Sequence, residues 1–317
     1  MLGQHDVGHR VVVRRFVRLG PEGRPLFGDL IGELLEFGEE TLRLRTRDGA
    51  THRVARGDII GAKRVPPWRP PNRRVAALER AAEEAWPAPV REALGEWVLR
   101  CAEGWTGRGN SALAVGDPGL PLPAAVDAVE NWYAARGRPP MINLPLPLAA
   151  PVAAELDARG WRSRPPTLVQ TAAVKHLVAA APGEGVELAA TPTPGWLRSV
   201  AGRTGTLPPA AHHILAAVER VRFAHVYGDG GDLLGTARGT VTGGGRWLGL
   251  FLIDVRPEAR RRGVARHLIG ALAQWAAGEG AIEAFLQVEE HNEPAKALYR
   301  DLGFTTHHTY VTRIAPG

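Results

Sequence analysis

Apolar and polar positions alternate in short runs through the first 65 residues. The runs His9–Arg14, Phe27–Phe37 with Gly32 inside it, Thr41–Arg47, His52–Val54 and Ile59–Arg64 predict five strands. LRLRT and THRVA flank Asp48-Gly49, a dipeptide suited to the positive backbone angles of a two-residue hairpin. Five strands in so short a span predict a small barrel over residues 1–66. Pro66-Pro67-Trp68-Arg69-Pro70-Pro71 then interrupts regular structure, because proline lacks an amide donor and restricts the residue before it. A proline-rich linker is therefore placed at 67–72.

Beyond the linker the period lengthens. A helical pattern covers Arg73–Trp86, strands follow at Trp97–Cys101 and Ser111–Val115, and helical spacing returns after Pro123. Residues 131–161 align without a gap on residues 274–304. Trp132 falls on Trp275, Gly137 on Gly280, Pro151 on Pro294, Gly160 on Gly303 and Trp161 on Phe304, a constant offset of 143. Each copy reads helix, strand, helix, strand, so an internal duplication is expected, with a boundary between residues 180 and 181. In the later copy an apolar strand, Leu248–Val255, leads through Arg256-Pro257 to a helix that starts near Gly263 and carries Val264, Leu268, Leu272 and Trp275 on one face.

Composition changes this picture little. The 317 residues are 44% hydrophobic and 23% charged, a globular balance that excludes disorder as the main state. No apolar run reaches the length of a membrane span, and MLGQHDVGHR lacks the core of a secretory signal, which predicts a cytoplasmic protein without a membrane partner. Cys101 is the sole cysteine, so an intramolecular disulfide and a thiolate cluster are excluded; it is expected as a buried structural thiol. His212-His213 and His307-His308 lack ligand spacing, so no metal is expected. The net charge of +6 rests on 39 basic residues, nearly all arginine, scattered among 33 acidic ones. Nucleic acid is therefore an unlikely partner.

The chemistry concentrates in Arg260-Arg261-Arg262-Gly263-Val264-Ala265. A helix start carries free amides and the positive end of the dipole, so three arginines there repel it and each other. A bound anion removes the conflict: the amides form a phosphate cradle and the guanidiniums add charge-assisted bonds. Arg260, Gly263 and Ala265 fit Gln/Arg-x-x-Gly-x-Gly/Ala, the pyrophosphate turn of the GNAT superfamily of N-acetyltransferases. AFLQVEEHNEPAKALYRDLGF, with strand Phe285–Val288, Asn292, Tyr299 and Leu302-Gly303-Phe304, resembles the second half of the same family. The match covers about residues 220–315, and in the earlier copy GDPGLPLP, residues 116–123, replaces the arginine-glycine turn. On strand spacing the amino-terminal barrel resembles SH3-like or Tudor-like barrels. The resemblance thus implies an α+β protein: an SH3-like β-barrel, then tandem GNAT-type mixed sheets flanked by helices, a degenerate half at 73–180 and an acetyltransferase half at 181–317.

The resemblance implies acetyl-CoA as co-substrate and a primary amine, on a small molecule or a peptide, as acceptor. Backbone groups of Leu252, Ile253 and Val255 would pair with the pantetheine; Arg260, Arg261, Arg262, Gly263, Val264, Ala265 and Arg266 would hold the pyrophosphate. Asn292 would bond the pantetheine arm, cap the helix that Glu293-Pro294 opens, or do both. Tyr299 would protonate the departing thiolate. Many members carry a glutamate early in the strand before the turn, whereas here Gly249 stands in that neighbourhood and no carboxylate appears before Asp254. Glu289 is the first candidate for the base, with His291 and Asp254 after it. Two alternatives remain open: acetylation of a cysteinyl-glucosamine amine as by the tandem enzyme mycothiol synthase, and an acetyl-CoA sensor without turnover. The polar, glycine-rich Gly104–Ser111 reads as a turn that either is plain or reaches the acceptor pocket.

Overall fold

Alternating apolar side chains build the first unit, residues 1–69. The computed structural model describes residues 2–20, 22–46, 50–65, 72–202 and 206–316. Strands β1 (Arg10–Leu19), β2 (Pro25–Phe37), β3 (Thr41–Thr46), β4 (Thr51–Ala55) and β5 (Ile59–Arg64) form an antiparallel sheet in the order β4-β3-β2-β1-β5. Val11 and Val13, Leu34, Leu42 and Leu44, and Val54 turn one face of each strand into a shared core. Gly32 is required by close approach: a Cβ there would lie 2.5 Å from the Arg45 carbonyl oxygen. The first hairpin is longer than the alternation predicts. Val17, Leu19, Leu26 and Phe27 are exposed, yet the ladder continues through Phe16 opposite Phe27, because backbone pairing does not depend on burial. Asp48-Gly49 and residues 66–71 lie outside the described residues; Asn72, the last residue of the expected linker, opens a helix.

In the second unit, residues 70–317, that helix is α1 (Asn72–Glu84), followed by β6 (Val90–Leu94), β7 (Trp97–Cys101), β8 (Ala112–Leu113), α2 (Leu122–Ala134), β9 (Met141–Leu146), α3 (Ala150–Ala158) and β10 (Arg162–Ser163). Then come β11 (Thr167–Ala173), α4 (Val174–Ala180), β12 (Glu187–Ala189), α5 (Pro194–Ala201), α6 (Pro209–Ala216), β13 (Val221–Tyr227) and β14 (Leu233–Thr242). The chain closes with β15 (Trp247–Val255), α7 (Val264–Gly278), β16 (Glu283–Glu289), α8 (Glu293–Asp301) and β17 (Thr305–Ile314). Moved by the offset of 143, α3 covers the same span as α8, and β10 falls on the start of β17.

The two halves are joined into one twelve-stranded sheet, in the order β12-β13-β14-β15-β16-β11-β17-β9-β8-β7-β6, with β10 paired to the far end of β17. Pairing is parallel at β15/β16 and β8/β9. The boundary drawn at residue 180 does not coincide with a boundary in the sheet. β11 precedes it in sequence but lies between β16 and β17, and α4 buries Val174 and Leu177 in the core of the later half. That core sits between the sheet and α7, whose Leu268, Ile269, Leu272 and Ala273 are buried. The earlier half has its own core around Trp97, Val126, Val129, Tyr133, Ile142 and Leu156. A third cluster ties α1 to both: Leu78, Ala82 and Trp86 pack with Ala102, Val169, Trp247, Phe251 and Phe285.

Candidate active site

The site begins where two strands part. β15 and β16 pair in parallel from Trp247 opposite Glu283 to Leu250 opposite Leu286, and then run on without pairing to Val255 and Glu289. Opposite β14, the register slips between Thr236/Asp254 and Arg238/Phe251, so β15 carries a bulge at Leu252-Ile253. Leu252 has φ +51, a left-handed conformation that is costly for a branched side chain and that re-aims the backbone groups of this strand. A cavity of about 640 Å³ fills the gap, with Phe251, Leu252 and Ile253 on one side and Gln287, Val288 and Glu289 on the other.

At the end of β15 the chain makes the turn singled out by its arginines. Arg260 is extended, Arg261 has φ +62 and Gly263 φ +82, and α7 starts at Val264. Two left-handed residues thus bring the chain to the free first amides of a fifteen-residue helix. Arg260 Nε donates to the Val255 carbonyl at 3.2 Å, and Arg266 Nη1 to the Ala180 carbonyl at 3.2 Å. Among the described residues no carboxylate lies within ion-pair distance of Arg260, Arg261, Arg262 or Arg266. Val255 and residues 260–266 stand outside the cavity lining, at the end of the strand that forms its wall.

The matching turn of the earlier half is filled by the chain itself. Asp117 N donates to Glu96 Oε2 at 2.7 Å and Gly119 N to Asp117 Oδ1 at 2.8 Å, so carboxylates of the chain take two amides of this turn.

Helix α8 supplies the other two expected groups. Asn292 caps it, its Oδ1 accepting from Ala295 N at 3.2 Å, and also lines the cavity. The carbonyl side of the amide serves the helix, and Nδ2 has no partner among the described residues. Tyr299 lines the cavity, is 9% exposed and packs edge-on against Phe304 with ring centroids 5.8 Å apart. Burial pushes its hydroxyl up to about 12, so it holds its proton across the neutral range.

Of the three candidate bases, Glu289 alone lines the cavity. Its carboxylate is exposed and lies 3.3 Å from His291 Nε2. Asp254 is exposed beside Ser199 Oγ at 3.5 Å, away from the cavity. The missing upstream glutamate has a steric cause. A Cβ on Gly249 would lie 2.6 Å from Phe251 Cε2 and 2.8 Å from Phe285 Cζ, which leaves no room for any side chain.

The far wall was not legible in the later half's sequence. Trp86, Thr106, Gly107 and Arg108 reach the cavity from the earlier half, and Arg164 and Pro165 from the segment before β11. The polar turn thus does reach the cavity. Trp86 stacks on Trp105 with centroids 5.1 Å apart and donates from Nε1 to Thr106 Oγ1 at 3.1 Å. Among the described residues no group of three or more His, Cys, Asp or Glu side chains could hold a metal ion.

A mixed sheet opened between two parallel strands, with a left-handed turn leading into a helix at the open end, is the fold of the GCN5-related N-acetyltransferase class. A solved GCN5-related N-acetyltransferase from Kribbella flavida shares the fold, with a TM-score of 0.59 at 18% identity over 79% of this chain and 97% of its own. Residues 73–312 match the family described as "Probable histone acetyltransferase Rv0428c C-terminal", and residues 5–63 the one described as "Rv0428c N-terminal Sm-like domain". The chain belongs to this Rv0428c-type family, in which an Sm-like barrel precedes the acetyltransferase region. It is 29% identical to the "Probable histone acetyltransferase Rv0428c" of Mycobacterium tuberculosis, over 97% of this chain and 95% of that protein. It is also 26% identical to the "Uncharacterized N-acetyltransferase YobR" of Bacillus subtilis, over 75% of this chain and 99% of that one. Among the described residues no helix is long and apolar enough to cross a membrane.

Proposed function

We propose that the protein transfers the acetyl group of acetyl-CoA to a primary amine by direct attack. The observation that carries this reading is the parting of β15 from β16 at Leu250/Leu286, which leaves one edge of the bulged strand unpaired and leads straight to the Arg260–Gly263 turn. Residues of this chain fit the co-substrate along its length. The free edge at Leu252, Ile253 and Val255 suits the amides of a pantetheine arm, and a strand amide there polarises the thioester carbonyl. The amides of residues 263–265 and the guanidiniums of Arg260, Arg261, Arg262 and Arg266 suit a pyrophosphate. Asn292 Nδ2 is placed to bond the arm.

In the transfer, the amine nitrogen bonds to the carbonyl carbon as the carbon–sulfur bond breaks. Tyr299, neutral because of its burial, gives its proton to the departing thiolate. Glu289 takes the proton lost by the amine, through solvent, since its carboxylate is exposed. Trp86 and the 106–108 turn form the acceptor side. Calorimetric titration with acetyl-CoA, desulfo-CoA and ATP tests the reading, followed by a screen of primary amines for release of CoA thiol. Binding of the first two ligands without ATP, and turnover of an amine, are expected. A folded protein that binds neither CoA compound overturns the reading.

A further inference from the structure

Two cations on the acceptor wall lack counter-ions. Arg108 and Arg164 both line the cavity, and no carboxylate lies within ion-pair distance of either among the described residues. Arg108 is the more constrained of the two. Its guanidinium carbon stands 5.3 Å from the ring centroids of both Trp86 and Phe251, and its Nε is buried without a hydrogen-bond partner. Behind the same two rings lies a second buried cation, Arg238, at 5.5 Å and 5.7 Å, held by the carbonyls of Ala85, Ile214 and Leu215. Burial first, and then the Arg108 charge, push Arg238 down to about 9, so it is still charged at neutral pH.

Stacking on aromatic rings explains where Arg108 sits. It does not satisfy a buried N–H, nor does it offset a like charge nearby, and both cost free energy until an anion arrives. Arg164 lies against the residue before Arg108: a Cβ on Gly107 would lie 2.6 Å from its Nη1. Glu289 is the one carboxylate among the described residues lining the cavity; it stands beside His291 and pairs across the sheet with Thr167.

Resting on the acetyl-transfer reading, we propose that the acceptor is an amino acid-like amine whose carboxylate is bound by Arg108 and Arg164 while its amino group faces the thioester near Glu289. A planar two-oxygen carboxylate matches the guanidinium fork.

The test uses the full chain and a matched set of primary amines: free amino acids and dipeptides, their carboxamides, aminoalkyl phosphates and lysine-rich peptides. Acetyl-CoA binding is measured first by calorimetry, and its absence fails the transfer reading itself. With binding present, kcat/KM for carboxylate amines is expected to exceed that for their carboxamides by about tenfold or more, carried by KM. Arg164→Gln, at an exposed position, and Gly107→Ala, whose new methyl displaces the Arg164 guanidinium, should each reduce that ratio while acetyl-CoA affinity holds. Equal use of carboxylates and carboxamides, preference for phosphates or lysine-rich peptides, or no turnover of any carboxylate amine overturns the proposal. So does a loss of acetyl-CoA affinity in Arg164→Gln, which would assign the arginine to the co-substrate.

Discussion

Two residues of the later half let chemistry and binding be separated. Burial holds the Tyr299 hydroxyl up near 12. Tyr299→Phe keeps the ring and its contact with Phe304, so steady-state kinetics should show kcat lowered by about a hundredfold, the usual contribution of a positioned acid, with the calorimetric affinity for acetyl-CoA unchanged. Because the raised pKa keeps the acid protonated, turnover should not fall between pH 7 and 10 on account of this residue; a loss there that disappears in Tyr299→Phe would contradict the assignment. Gly263 tests binding. Its φ of +82 is one that L residues adopt at a cost of about 1–2 kcal/mol, and a carboxylate there would face the amides meant for phosphate. Gly263→Asp should therefore lose acetyl-CoA affinity by about tenfold or more in the same titration, in a protein that remains folded by circular dichroism.

At the level of elements, the site depends on how closely α7 approaches the chain that leaves α4. Gly270 makes the approach possible, since a Cβ there would lie 2.4 Å from the Ala181 carbonyl oxygen. Gly270→Ala is expected to destabilise the protein by about 1–3 kcal/mol through overpacking, despite its better helix propensity, whereas Gly278→Ala, with open space around it, should stabilise slightly. Denaturant titrations of the two variants check this contrast. The same elements show what a sequence carries. β15, the arginine turn and α7 were legible because apolar run, turn chemistry and helical period follow one another along the chain. Asn292 and Tyr299 were singled out by the family resemblance, and both line the cavity. The acceptor wall was not legible, because Trp86 and Arg108 reach the cavity from well over a hundred residues away from Tyr299, and no local pattern records which distant turn closes a pocket. β6 was missed because four of its five residues are exposed, leaving no alternation of burial to detect. The neighbours of β11 were equally hidden: a strand's period shows that it pairs, not with what.

On the scale of the whole molecule, the placement of β11 decides which pieces of the chain can stand alone. Residues 1–69 have a core of their own around Val11, Leu34, Leu44 and Val54. Residues 70–317 share one sheet in which β11 fills the space between β16 and β17, and Val174, Leu177 and Ala181 complete the core under α7. A chain of residues 181–317 contains the arginine turn, α7 and α8, yet it lacks that strand. β16 and β17 would each expose a row of unpaired amides and carbonyls, and Phe251 and Phe285 would lose Leu78 and Trp86. This fragment is expected to aggregate or to unfold without a cooperative transition. The fragment 70–317 should instead melt cooperatively and bind acetyl-CoA within about threefold of the full chain, because none of the groups assigned to the co-substrate lies in the barrel. Thermal melts followed by circular dichroism, with calorimetry on the soluble products, separate these outcomes. A stable, acetyl-CoA-binding 181–317 would mean that β17 can close directly on β16, and that the earlier half is an appendage to the site and not part of its frame.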